Sequence, residues 1–244
     1  MFFSLLTDVK INYILRRIIK FFGSLRLALG SLLFVGMLSA IAELFFFGWL
    51  SGEMLDGDTR RFDESVRAFV HAFAFPALTS VMQLASFLGS TLFLGILGVV
   101  TVIALYLRKH RRGATLFTIT TIGATVLLVL LKLAFRRARP EPFFDTILPA
   151  SYSFPSGHSL AAFCFYGALA EILSERTDKR WQQIIVWISA IIMILLIGLS
   201  RIYLGVHHPS DVVAGYAVGL IWVITIAIGD KLIHSRDKKF ENQQ

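Results

Sequence analysis

The apolar residues of this chain fall into blocks of about twenty, each closed off by a short charged or Gly/Pro-containing stretch. A helix rises 1.5 Å per residue, so ~20 apolar residues cross a hydrocarbon layer of ~30 Å. Blocks of that length are too long for the core helices of a soluble bundle. Six spans can be read: Leu25–Leu50, Ala77–Leu107, Ala114–Phe135, Ser156–Leu173, Trp181–Leu199 and Pro209–Leu232. The expected fold is all-α, a polytopic membrane protein with six transmembrane helices. A mean hydropathy of +0.70 agrees with that reading. Residues 1–24 form an N-terminal segment, 25–232 the six-span domain and 233–244 a tail. The first block is too long for the apolar region of a signal peptide, and no A-x-A-like cleavage site follows it at the right distance, so it reads as a retained helix.

The charges orient the bundle. Of 24 Lys and Arg, 16 lie on one set of helix ends: residues 1–26, the Arg108–Arg112 turn, the Arg176–Arg180 turn and the C-terminal end from Lys231 on. Cytoplasmic loops carry the excess of Lys and Arg. Both termini are then cytoplasmic, in a multi-pass protein of the cell inner (plasma) membrane. The basic balance needs no nucleic-acid partner. Five of the remaining cations, Lys132, Arg136, Arg137, Arg139 and Arg201, oppose this bias on the periplasmic or exterior face. An anion site accounts for cations in that place. The single cysteine, Cys164, excludes an intramolecular disulfide and any Cys-built metal framework. Near residues 60–73, Phe62, Val66, Phe69 and Phe73 recur at helical spacing among charged residues. This predicts an amphipathic helix on the outer interface, a cover over the bundle or a platform through which lipid enters.

Three outward segments hold nearly all the unusual polar residues. In the first, Lys132 and Arg139 are seven apart and share a face if the third span continues, until Pro140 ends it. In the second, Pro155-Ser156-Gly157-His158 opens the fourth span. A helix start leaves free N–H groups at the positive end of the dipole, which is an anion pocket. Gly157 lets backbone approach a ligand, Ser156 adds a hydroxyl and His158 can exchange a proton near neutral pH. In the third, Ser200-Arg201 is followed by His207, His208, Pro209 and Asp211. A carboxylate four residues on can hold one imidazole nitrogen and leave the other lone pair free to attack. Three cations, a helix N-terminus, two acid/base histidines and an orienting carboxylate are what phosphoryl transfer requires, since its transition state spreads negative charge over the equatorial oxygens.

These segments resemble the type 2 phosphatidic acid phosphatase (PAP2) superfamily, whose pattern K-x6-R-P, P-S-G-H, S-R-x5-H-x3-D stands here complete and in order. The resemblance implies a lipid phosphatase that works without metal or cofactor. It implies His207 as the nucleophile, carrying a phosphohistidine, Asp211 as its orienting group and His158 as the proton donor to the leaving oxygen. Lys132, Arg139, Ser156, Gly157 and Arg201 would hold the phosphate. The expected partners are a lipid phosphate and the bilayer. Candidate substrates are undecaprenyl pyrophosphate, phosphatidylglycerol phosphate, phosphatidic acid and lipid A phosphates, the outward site favouring the first. Lipid phosphotransfer is the enzymatic alternative. An anion transporter is the non-enzymatic one, though no paired broken helices or internal repeat argue for it. A membrane-embedded mouth suits an amphiphilic substrate better than it suits haloperoxidase chemistry. His208 is the rival to His207, and the motif spacing favours His207. Arg136 and Arg137 lie outside the pattern, either binding a second phosphate or meeting lipid headgroups. Glu43 stands inside the first span as an unassigned carboxylate. His71, His110 and His234 read as surface residues. Oligomeric state is not legible in the pattern.

Overall fold

A computed structural model of the chain describes residues 58–144 and 150–241, with side chains through 230, and scattered helical positions between 38 and 53. The described residues form seven helices: α1 Asp58–His71, α2 Pro76–Leu88, α3 Thr91–Leu107, α4 Arg111–Phe135, α5 Gly157–Ser174, α6 Arg180–Tyr203 and α7 Pro209–Glu241. The chain divides into two compact units. One comprises Phe45–Ile224 and holds the site; the other gathers Met1–Leu44 and Thr225–Gln244.

Three helices are long and apolar enough to cross a membrane: α4, α6 and the Pro209–Asp230 part of α7. The block expected to run from Ala77 to Leu107 is not one helix. It breaks after Gly89, and α2 and α3 meet at 49°, which makes at most one further, bent span. Ser90 starts α3 by accepting from the Phe93 N–H at 3.2 Å, and Pro76 opens α2, so each half has its own start signal. The fourth expected span appears as α5. It has only 18 residues, with His158 in its first turn and Glu171 in its last. Most of the first expected span, Glu43 included, lies outside the described residues. Among the described residues, three or four helices are long and apolar enough to span, against the six spans expected of the whole chain.

Packing shelters α5 and its polar first turn. It is wrapped by neighbours. Phe154, Leu160 and Cys164 pack with Ala124, Ala214 and Val218, and Phe165 packs with Phe117, Leu94 and Leu105. The outward faces are apolar instead: Ile96, Val99, Val126, Val129, Ile188 and Ile192 are all more than half exposed. Apolar faces turned outward along several helices need lipid around them, since water would leave them as one large exposed patch. Where α7 crosses α5, a Cβ on Gly215 would stand 2.8 Å from the Ser156 carbonyl oxygen. Only a glycine lets the two backbones meet there. The contact is sealed by the Ser156 N–H donating to the Asp211 carbonyl at 2.9 Å.

Helix α1 is amphipathic as expected, but its faces are turned against the soluble rule. Phe62 and Phe69 are exposed, at 55% and 66%, and Phe73 just beyond it at 58%. Asp63 is buried. The Arg67 guanidinium donates to the carbonyls of Glu141 and Gly205, at 2.6 and 3.2 Å, and lies over the Phe143 ring. Burial holds its pKa below the usual guanidinium range. His71 stacks on Phe143 with ring centroids 4.0 Å apart. The polar face of α1 therefore grips the segment that follows α4.

Candidate active site

The end of α4 differs from the expectation that Lys132 and Arg139 share a helical face. The helix stops at Phe135, and Arg136 takes a left-handed conformation (φ 45°) with its N–H on the Lys132 carbonyl. Pro140 disfavours helix in the residue before it, so residues 136–142 run irregularly. Lys132 and Arg139 still converge, because both reach the 151–153 segment. Lys132 Nζ donates to the Tyr152 carbonyl. Arg139 Nε donates to the Ser151 carbonyl at 2.8 Å.

The α6–α7 connection turns on Gly205, whose φ of +75° is the left-handed region that glycine tolerates. A Cβ there would stand 2.6 Å from the Phe143 N. Arg201 lies in the last turn of α6, not in the loop, and is 7% exposed. One of its nitrogens meets Ser86 Oγ of α2, while its buried Nε has no partner.

His207 is 1% exposed. Its Nδ1 lies 3.3 Å from Asp211 Oδ2 and 3.3 Å from Ser153 Oγ. Its Nε2 lies 3.2 Å from Arg139 Nη1. A guanidinium can only donate, so Nε2 is the acceptor and the ring proton sits on Nδ1, facing Asp211. Burial lowers the His207 pKa to about 4, against the raising pull of Asp211. The ring is neutral near pH 7 with its lone pair turned toward Arg139. Burial also lowers the pKa of Arg139, with Asp211 opposing.

Asp211 is fully buried. Its Oδ2 accepts from Ser153 Oγ at 2.5 Å and from the His208 N–H at 2.9 Å, and its Oδ1 accepts from Arg137 Nη1 at 2.5 Å. His208 points elsewhere. Its Nδ1 is buried without a hydrogen bond, 4.0 Å from Asp63 Oδ2, and burial followed by Arg137 lowers its pKa. The structure thus separates the two histidines as the spacing did.

Lys132, Arg139, Gly157, His158, Arg201 and His207 line one cavity of about 560 Å³. Its polar end is this cationic group. Its body continues between α3, α4 and α5, past Gly95, Gly98, Thr121 and Phe165, and reaches the outward-facing Val99, Ile103 and Ile122. Ser156 does not line it. Its Oγ caps α5, accepting from the Ser159 N–H at 3.4 Å and from the Ser159 hydroxyl at 2.9 Å. Among the described residues no group of three or more His, Cys, Asp or Glu side chains is placed to hold a metal ion.

Comparison with known proteins fits this arrangement. A profile of the PAP2 superfamily matches residues 113–231, which include all three motifs. The crystal structure of a transmembrane PAP2-type phosphatidylglycerolphosphate phosphatase from Bacillus subtilis superposes with a TM-score of 0.71 at 28% identity, covering 78% of this chain and 95% of that one. Residues 113–231 are similar to the PAP2 superfamily, motif by motif. The protein is also 29% identical over 186 residues to phosphatidylglycerophosphatase B of Bacillus subtilis, covering 76% of the chain and 91% of the relative. It is 34% identical over 134 residues to the undecaprenyl-diphosphatase of Sulfolobus acidocaldarius, covering 53% and 60%.

Sequence reasoning missed three contributors. Ser153, fully buried, bridges Asp211 and His207. Its place two residues before Pro155 was the one available signal. Ser86 of α2 reaches Arg201 from outside every motif. Asp63 and Arg137 form the third contribution: both arms of the Arg137 guanidinium are held by carboxylates. Arg136 is exposed, with its Nε on the Leu133 carbonyl at 3.0 Å.

Proposed function

We propose that this protein is a PAP2 phosphatase and hydrolyses the phosphomonoester or pyrophosphate of a long-tailed membrane lipid through a phosphohistidine on His207. The support is the shape of one cavity, cationic at one end and apolar along its length. A phosphate at the cationic end leaves its tail in the groove between α3, α4 and α5. Lys132, Arg139 and Arg201 take the equatorial oxygens. The guanidinium of Arg139 passes its hydrogen bond from Nε2 to the phosphate, which frees the lone pair. Nε2 attacks phosphorus in line, the bond to the leaving oxygen breaks, and His158 delivers a proton to that oxygen. Asp211 stabilises the ring as it becomes cationic, through the Nδ1 proton. Water then attacks phosphorus, His158 takes back a proton, and the P–N bond breaks to return the lone pair to Nε2. Ser156 acts by capping α5, whose first N–H groups and Gly157 face the phosphate. Removing one cation of the clamp lowers kcat by about 10²–10³-fold.

The reading extends to six spans, with both termini cytoplasmic and the site at the outer face of the inner membrane. The distribution of Lys and Arg supports that layout. An outward site favours undecaprenyl pyrophosphate over phosphatidylglycerol phosphate, phosphatidic acid and lipid A phosphate.

The test is phosphate release by purified protein from these four lipids and from glycerol phosphate, in detergent with EDTA. The lipids turn over, and the tail-less substrate turns over far more slowly. Gly95 has open space around its Cβ position, so Gly95→Leu fills the groove. It raises KM for the lipids and leaves glycerol phosphate unchanged. Equal rates on lipid and tail-less substrate would sink the reading.

A further inference from the structure

Asp63 is a carboxylate in the amphipathic helix α1, yet it is 1% exposed. Its Oδ2 accepts from Arg137 Nη2 at 2.8 Å and from Ser210 Oγ at 2.7 Å. Its Oδ1 accepts from the Ser210 N–H at 2.9 Å. On the other side of the same guanidinium, Arg137 Nη1 donates to Ser210 Oγ at 2.8 Å and to Asp211 Oδ1 at 2.5 Å. Asp211 in turn offers Oδ2 to His207 Nδ1. The series runs from α1 through the segment after α4 to the first turn of α7. Neither Asp63 nor Arg137 lines the cavity.

As a device for holding the fold together this arrangement is a poor one. Buried ion pairs return little net stability once desolvation is counted, and an apolar cluster of the same volume does as well. Its value lies in where it ends. Asp211 must keep one oxygen on the His207 ring, and fixing its other oxygen keeps the carboxylate from turning away. Arg137 fixes it. Left alone with Asp211, Arg137 would place its whole charge on that carboxylate and weaken its hold on the Nδ1 proton. Asp63 takes the second arm and shares the charge. The backbone and hydroxyl of Ser210, the residue beside Asp211, are held by the same carboxylate.

We propose that Asp63 and Arg137 are positioning residues for His207, and that helix α1 is through them a working part of the active site. The proposal rests on His207 as the nucleophile and assigns both residues a role outside the phosphate clamp.

Steady-state kinetics on a lipid phosphate, with inorganic phosphate as competing inhibitor, test it. Asp63→Asn keeps the shape and removes the charge. It lowers kcat by about 30-fold, as expected of a residue that orients a functional group from behind. KM and phosphate inhibition stay within about 2-fold, because the cavity is untouched. Asp63→Glu recovers part of the loss, since the carboxylate is restored. In an Arg137→Met background, Asp63→Asn adds less than about 3-fold, because its effect passes through Arg137. Wild-type kcat in Asp63→Asn, or losses that multiply in the double variant, would overturn the proposal. So would a loss of kcat accompanied by an equal rise in KM and in the phosphate inhibition constant, which marks a general loosening of the site. If Asp63→Asn does not fold, Arg137→Lys asks the same question by keeping the charge without the two-armed fork. It gives a loss of about 10-fold in kcat at unchanged phosphate inhibition, and wild-type kcat there overturns the proposal. His207→Ala tells the two readings apart. Its full activity would remove the nucleophile itself, whereas an inactive His207→Ala beside an unaffected Asp63→Asn removes only the positioning role.

Discussion

On the proposed mechanism two demands conflict at His207. A nucleophile needs a free lone pair, and the ring that has attacked needs its new positive charge stabilised. Burial answers the first by lowering the pKa to about 4, and Asp211 answers the second by holding the Nδ1 proton. The sign follows for kcat/KM. The His207 limb, after correction for the substrate's own ionisation, lies near pH 4. Asp211 pulls the His207 pKa upward, so Asp211→Asn moves this limb lower still while kcat falls. A His207 limb near 6.5 would contradict the burial seen here. At this scale the motifs were legible because each binds its chemistry to a fixed spacing. Asp63 was not. Along the sequence it reads like Glu64, which forms an exposed pair with Arg60 at 2.8 Å. One step of the helix separates a solvated acid from a buried one, and charge alone does not say which is which.

At the scale of elements, the hydrophobic blocks were legible and their breaks were not. Gly89 and Ser90 sit inside one apolar run, and only the start signal of Ser90 marks the second helix there. The Lys132–Arg139 register failed for a related reason. Pro140 acts on the residue before it, and Arg136 had already left the helix. The α5–α7 crossing is the element contact on which the chemistry depends, because it sets Asp211 beside Ser153 and the start of α5. Gly215→Val places atoms where the Ser156 carbonyl and Ser159 Cβ now stand, 2.8 and 2.9 Å from the added Cβ. A displacement of the catalytic groups by about 1 Å costs about 10²-fold in rate. The expected result is a fall of that order in kcat, with lesser change in detergent-solubilised thermal stability. Gly167→Ala is the control: it lies on α5 with open space around its Cβ and leaves kcat unchanged. Equal behaviour of the two variants would place the crossing outside catalysis.

At the scale of the molecule, orientation rests on charge counts alone, and a labelling experiment decides it. Glu141 is exposed in the segment beside the site. With the buried Cys164 replaced by Ala, a cysteine substituted at Glu141 in intact cells reacts with a membrane-impermeant maleimide applied from outside. Reaction only after the inner face is opened would reverse the topology. The outward apolar faces of α3, α4 and α6 made the membrane legible from composition. The shape of the cavity was not legible, because it arises from helices far apart in sequence and from two small residues, Gly95 and Gly98, on one side of α3.

That cavity reaches the lipid-facing side of the bundle through Val99, Ile103 and Ile122. A substrate arriving by this path never passes through water. Its supply is then measured by its mole fraction in the surrounding leaflet, and diluting the lipid phosphate with inert lipid at constant bulk concentration slows the enzyme as surely as withdrawing it. On the proposed mechanism His207 works on a two-dimensional solution, and the bilayer around the protein is its solvent.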